Sequence, residues 1–161
     1  ASRGTLNPQV TFGEDVMSRI RYAMEHGGEA LRRSIREALN RLIEQAVDDP
    51  EEVAEVVIAG NTAMHHLVLD LPVKQLGMAP YRPAACDPLD IKARDLGLRA
   101  ARGAYVHCLP NVAGFVGGDH VAMLLATGMW ETERRVIGVD IGTNTEVTLA
   151  ARGVLTSVSC A

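Results

Sequence analysis

The run VIGVDIGTNTEVTL, residues 136–149, constrains the fold more than any other stretch of the chain. Apolar and β-branched residues flank a turn led by glycine, which reads as two antiparallel strands joined by a tight hairpin. In this reading Val136, Ile137 and Val139 bring a buried strand to Asp140. The chain then turns at Gly142-Thr143-Asn144-Thr145 and returns through Glu146, Val147, Thr148 and Leu149. A turn of small residues directs several backbone N–H groups and hydroxyls at one point, as an oxyanion or a di- or triphosphate requires. Gly142 puts no Cβ in the way. Asp140, at the strand end, suits the water shell of Mg²⁺, which keeps several waters and takes one or two carboxylates. A plain tight turn accounts for the same residues, so both readings stay open at this point. The run is not a Walker A loop, since no G-x-x-x-x-G-K-[ST] occurs.

Upstream, strand-like and helix-like segments alternate. Val16, Met17, Ile20, Ala23 and Met24 mark one helix over 14–25, interrupted by Gly27-Gly28. Leu31, Ile35, Ala38, Leu39, Leu42, Ile43 and Ala46 mark a second, amphipathic helix over 29–47, stopped by Asp48-Asp49-Pro50. Residues 53–59 read as a short buried strand and 62–69 as a helix. Asp87-Pro88 reads as the start of a short helix through Leu96, closed by Gly97. Residues 104–108 and 154–159 are further strands. The glycines of NVAGFVGGDHVAMLLATG, residues 111–128, lead to Asp119, which is placed to cap a helix ending at Gly128 and is a second carboxylate candidate near Mg²⁺. The expected fold class is α/β, with helices packed on a mixed sheet. The chain opens without a first strand and stops just after one, as an excised piece would.

The 161 residues are 47% hydrophobic, 22% charged and 4% aromatic, which supports one ordinary core. A net charge of −4 without a basic stripe argues against nucleic acid as a partner. No apolar run reaches the roughly 18 residues of a membrane span, and the first residues lack a signal-peptide layout, so a cytoplasmic, membrane-free protein is expected. Cys86, Cys108 and Cys160 are scattered and give neither a disulfide framework nor an iron–sulfur motif. No metal-ligand set is visible. His65 and His66, adjacent on a helix, point about 100° apart and read as satisfied or surface histidines. His26 and His107 carry no supporting pattern, and His120 has no acid/base partner in sequence.

The order of a glycine-rich turn, a helix and a D-x-G-T hairpin resembles actin, sugar kinases and heat-shock chaperone ATPases. More specifically, NPQVTFGEDVMSRI, VVIAGNTAMHHLVLDLPVKQLGMAPYRP, LPNVAGFVGGDHVAMLLA and VDIGTNTE, in that order, resemble the reductive activators of corrinoid proteins. The resemblance implies an ATP- and Mg²⁺-dependent metalloprotein reductase that returns Co(II) corrinoid proteins to Co(I) for methyl transfer. It implies a [2Fe–2S] cluster in a ferredoxin-like domain absent from this chain, a corrinoid protein as partner, and leaves room for a homodimer. It also implies a partial actin-like (ribonuclease H-like) ATPase lobe. Residues 1–135 would be the first lobe without its opening phosphate hairpin, and 136–161 the opening strands of the second. The phosphate and Mg²⁺ positions it implies are Asp140, Gly142, Thr143, Asn144 and Thr145, with Asp119 beside them. No catalytic residue is assigned. A sugar or acyl kinase of the same superfamily, or a non-catalytic interaction lobe, remain the alternatives, and the 161 residues alone are expected to be inactive.

Overall fold

A computed structural model describes residues 2–142 and 144–160. Among them the chain forms a mixed α/β domain with four α-helices and two three-stranded sheets. Helix α1, Val16–His26, begins where the Asp15 carboxylate accepts the Ser18 N–H at 2.7 Å, and ends at Gly27, whose φ of 83° requires glycine. Helix α2, Glu29–Ala46, follows the expected amphipathic stripe. Ile20 and Leu31 from these helices pack with Ala63, Leu67, Val73 and Leu76 in the first core cluster.

The first sheet contains β1, Glu55–Ile58, β2, Leu89–Lys92, and β3, Tyr105–Cys108, in the order β1-β3-β2. β3 runs parallel to β1 and antiparallel to β2. Its inward residues Val106 and Cys108 pack with Ala93, Leu98 and Ala104, and Leu39 of α2 covers them. Two expectations fail here. Residues 89–92 are a strand rather than part of a helix, because Leu89, Asp90, Ile91 and Lys92 alternate and complete the free edge of β3. Cross-strand pairs hold them there: Asp90 hydrogen-bonds His107 at 2.7 Å, and Lys92 Nζ lies 3.4 Å from the Tyr105 ring centre. The residues after them close a turn, with Leu98 N–H donating to the Ala93 carbonyl. β1 is also not buried, since it is an edge strand with Val57 exposed.

From β1 the chain enters α3, Thr62–Val68, capped by the Asn61 side chain on Met64 N–H at 2.9 Å. Helix α4, Gly118–Thr127, ends at Gly128 in the left-handed conformation. The second sheet is a meander of β4, Val136–Ile141, β5, Thr145–Ala151, and β6, Val154–Cys160. The hairpin expected over 136–149 is therefore present and gains a third strand. It forms a separate sheet, so the single layer expected from the alternation of elements is split in two. α4 covers one face through Leu124, Met129 and Ala150. The other face leaves Ile137, Val139 and Ile141 exposed, so β4 is buried on one side only. No helix among the described residues is long and apolar enough to cross a membrane.

Candidate functional site

The hairpin turn, the starts of α1 and α4 and the cap of α3 meet around a cleft of about 260 Å³. Glycine makes the meeting possible. A Cβ on Gly117 would lie 2.6 Å from Asn61 Cα and 2.7 Å from Thr62 N, so the start of α4 rests directly on the start of α3. The Asp119 N–H then donates to the Gly60 carbonyl at 3.2 Å. Backbone N–H groups at helix starts carry partial positive charge, which favours an anion in front of them.

Four of the residues singled out in the sequence line this cleft: Asp119, Asp140, Gly142 and Asn144. Asp140 and Asn144 are half-buried, whereas Asp119 and Gly142 are exposed. The turn itself is closed by Gly142 N–H donating to the Asn144 carbonyl at 3.0 Å. Thr145 is brought elsewhere. It pairs with Ile141 at the root of the turn, one position out of step with Asp140 and Glu146, so strand alternation sends it to the opposite face. Thr143 lies outside the described residues. Asp119 does not cap α4, because the helix begins one residue earlier, after Gly117; its carboxylate instead accepts the His120 N–H at 2.9 Å.

Sequence reasoning missed the other half of the cleft. Glu14, Asp15 and Arg19 come from the start of α1, and Asn61 from the cap of α3. All four lie far upstream of the hairpin, which starts at Val136, and no local pattern ties them to it. Glu146 sits opposite Asp140 on β5 and lines the cleft beside it. The lining thus carries five carboxylates, Glu14, Asp15, Asp119, Asp140 and Glu146, against one guanidinium. Arg19 is buried and spends its donors on the Gly13 and Glu14 carbonyls. The Asp15 carboxyl is held below its ordinary value by the Ser18 backbone N–H. A phosphate entering this surface needs a cation with it.

His120, read from sequence as lacking a partner, is fully buried. Its Nε2 lies 2.5 Å from Thr148 Oγ1, which lies 2.6 Å from Ser157 Oγ. Its Nδ1 has no partner among the described residues. The available signal was Glu146 and Thr148 two apart on a strand, which places both on one face. His65 and His66 are both buried rather than on the surface. His66 is satisfied: Ala84 N–H donates to Nε2 at 2.9 Å, so Nδ1 carries the proton given to the Thr62 carbonyl at 2.7 Å. Burial pushes His66 below its ordinary pKa, partly offset by that carbonyl. His65 Nε2 has no partner among the described residues, and burial together with adjacent His66 lowers its pKa to about 4.

The sequence model of the RACo middle region matches residues 1–132. The chain belongs to the RACo middle region family. Beyond that match, this RACo middle region chain is 34% identical over 148 residues to the corrinoid activation enzyme RamQ of Eubacterium limosum, covering 88% of the chain and 25% of that protein. It is likewise similar to the solved structure of a reductive activator for a corrinoid, iron–sulfur protein, with a TM-score of 0.96 and 34% identity. That likeness covers 100% of the chain and 27% of the solved chain. The RACo middle region chain therefore spans about a quarter of the length of these relatives. The family match supplies the α1, α3 and α4 walls of the cleft, while the meander of β4, β5 and β6 follows it in sequence.

Proposed function

We propose that the chain is the central part of an ATP-dependent activator that supports reduction of Co(II) corrinoid proteins to Co(I) for methyl transfer. The observation that carries this reading is the convergence of Asp119, Asp140, Gly142 and Asn144 on one cleft, in a chain of the RACo middle region family. The names of the two relatives, a corrinoid activation enzyme and a reductive activator for a corrinoid, iron–sulfur protein, support the choice of substrate protein. In this reading residues 1–135 are a first lobe of an actin-like ATPase and residues 136–161 open a second. The end of the family match at residue 132 and the start of a separate sheet at Val136 support that division.

The cleft residues fit Mg²⁺–ATP, which when bound supplies the phosphoryl group and the driving force for a conformational step. Gly142, without a Cβ, would let the phosphates come close to the turn backbone, with the N-terminus of α4 beside them. Asp119 and Asp140 would hold the cation through its water shell, and Asn144 would orient the nucleotide. Closure of two lobes about this point would couple nucleotide to the state of a docked corrinoid protein. The cysteines do not fit an iron–sulfur cluster: Cys108 is buried, its thiol pushed up to about 11 by burial, and Cys86 and Cys160 are exposed and far apart in sequence. A [2Fe–2S] group therefore belongs, in this proposal, to a ferredoxin-like domain outside these residues.

The test is Asp140→Ala in the intact protein that carries this chain. ATP turnover in the presence of a Co(II) corrinoid protein is expected to fall by roughly 10²-fold. Turnover at the wild-type rate would remove Asp140 from the phosphate site. Phosphorylation of a small alcohol or carboxylate in place of corrinoid reduction would mark a kinase instead.

A further inference from the structure

We propose that His120, Asp140 and Glu146 bind a first-row divalent cation such as Mn²⁺ or Zn²⁺ without any nucleotide. A ring nitrogen of His120 and carboxylate oxygens of Asp140 and Glu146 all lie within 4.8 Å of one another. The two acids are register partners on β4 and β5, so their side chains leave the same face of the sheet. Like charges placed directly opposite destabilise a strand pair, and a cation between them removes that cost. The histidine comes from the helix covering that face and is fully buried.

The arrangement around the three groups points to a ligand as well. Among the described residues His120 Nδ1 is buried without a hydrogen-bond partner, a state that native proteins rarely leave unfilled. Nε2 lies 2.5 Å from Thr148 Oγ1, and the tautomer protonated at Nε2 presents its lone pair at Nδ1. Thr148 is in turn held by Ser157 at 2.6 Å. Glu146 is oriented the same way, accepting from Ser159 Oγ at 2.9 Å. Metal-bound histidines and carboxylates are commonly fixed by such outer hydrogen bonds. One imidazole with two carboxylates suits Mn²⁺ or Zn²⁺ better than Mg²⁺, which prefers oxygen ligands and retains its waters. Donors around such an ion sit roughly 3–4 Å apart, so the carboxylates need to close by about an ångström. Both are half-buried and line the open cleft. The site shares Asp140 with the phosphate reading but does not rest on it, because all three ligands belong to the chain.

The experiment is a Mn²⁺ titration of the intact, EDTA-treated protein without nucleotide, read by electron paramagnetic resonance, with spin-echo detection of ¹⁴N coupling. One bound Mn²⁺ with imidazole ¹⁴N modulation is expected. His120→Gln should abolish that modulation. Because His120 is buried and its loss risks the fold, Glu146→Gln is the second variant; it should weaken Mn²⁺ at least tenfold and keep the ¹⁴N signal. Thr148→Val, which frees the imidazole to turn, should weaken it by roughly 10–100-fold, and Thr148→Ser should restore it. Thr148 is thus a positioning residue. Absence of bound Mn²⁺, bound Mn²⁺ without ¹⁴N modulation, a modulation that survives His120→Gln, or ready displacement by equimolar Mg²⁺ would each overturn the site. Failure of this titration leaves ATP turnover intact, whereas failure of the phosphate reading appears in turnover and not in nucleotide-free Mn²⁺ binding.

Discussion

At the scale of single residues, His65 couples the stability of the chain to pH. Burial and the neighbouring His66 lower its pKa to about 4, whereas an unfolded histidine titrates near 6.5. Between those values the unfolded chain binds more protons than the folded one, so stability rises with pH through that window. The contribution is complete above about pH 6.5 and drains away as pH falls toward 4. Its full size is on the order of 3 kcal/mol. The surroundings of His65 include Ile35, Leu39, Ile58 and Val68, so leucine is a compatible replacement. Urea unfolding of wild type and His65→Leu at a series of pH values between about 7 and 4.5 provides the measurement. The wild type is expected to lose more stability over that range than the variant. Parallel curves would mean that His65 already titrates normally in the folded chain.

At the scale of elements, the decisive contact is the approach of α4 to α3. Gly117 permits it: an added Cβ would meet backbone atoms at 2.6 and 2.7 Å, and backbone cannot swing aside as a flexible side chain can. Gly117→Ala is therefore expected to cost about 2–3 kcal/mol in chemical denaturation. Gly103→Ala, where nothing lies within 4 Å, should stay within about 0.5 kcal/mol. Equal stability of the two variants would show that the helix starts do not touch. This contact also explains how much could be read in advance. α1 and α2 were legible because their stripes repeat locally, and the hairpin because its turn chemistry is local. β2 was not, because Asp87-Pro88 and Gly97 imitate helix ends. Its four residues are too few to show their alternation until β3, more than a dozen residues later, pairs with them. The cleft divides the same way. Its hairpin half was visible as Asp140, Gly142 and Asn144. Its other half, Glu14, Asp15, Arg19 and Asn61, arrives through helix packing that no short window of sequence contains.

At the scale of the molecule, the second sheet has two unlike faces. One carries Asp140, Glu146 and Thr148 toward α4 and the cleft. On the other, the register aligns Ile137, Val139 and Ile141 of β4 with Leu149 of β5 and Val154 and Val158 of β6. Ile137 is 66% exposed, Ile141 82% and Val158 53%, so this is a contiguous apolar patch rather than scattered side chains. Patches of that kind in soluble chains mark surfaces that seek a cover. Residues 1–161 prepared alone are therefore expected to self-associate, with a sedimentation coefficient that rises with concentration. Ile137→Lys with Ile141→Lys should shift the same preparation toward monomer, since both side chains lie on the open face and neither joins the Leu124, Met129 and Ala150 cluster beneath it. Circular dichroism of the double variant should match wild type, separating lost adhesion from lost folding. If the unmodified chain is monomeric at every concentration and the lysines change nothing, the patch serves strand pairing alone. In that case the face that bears Asp140 and Glu146 toward the cleft is the one left to meet a ligand.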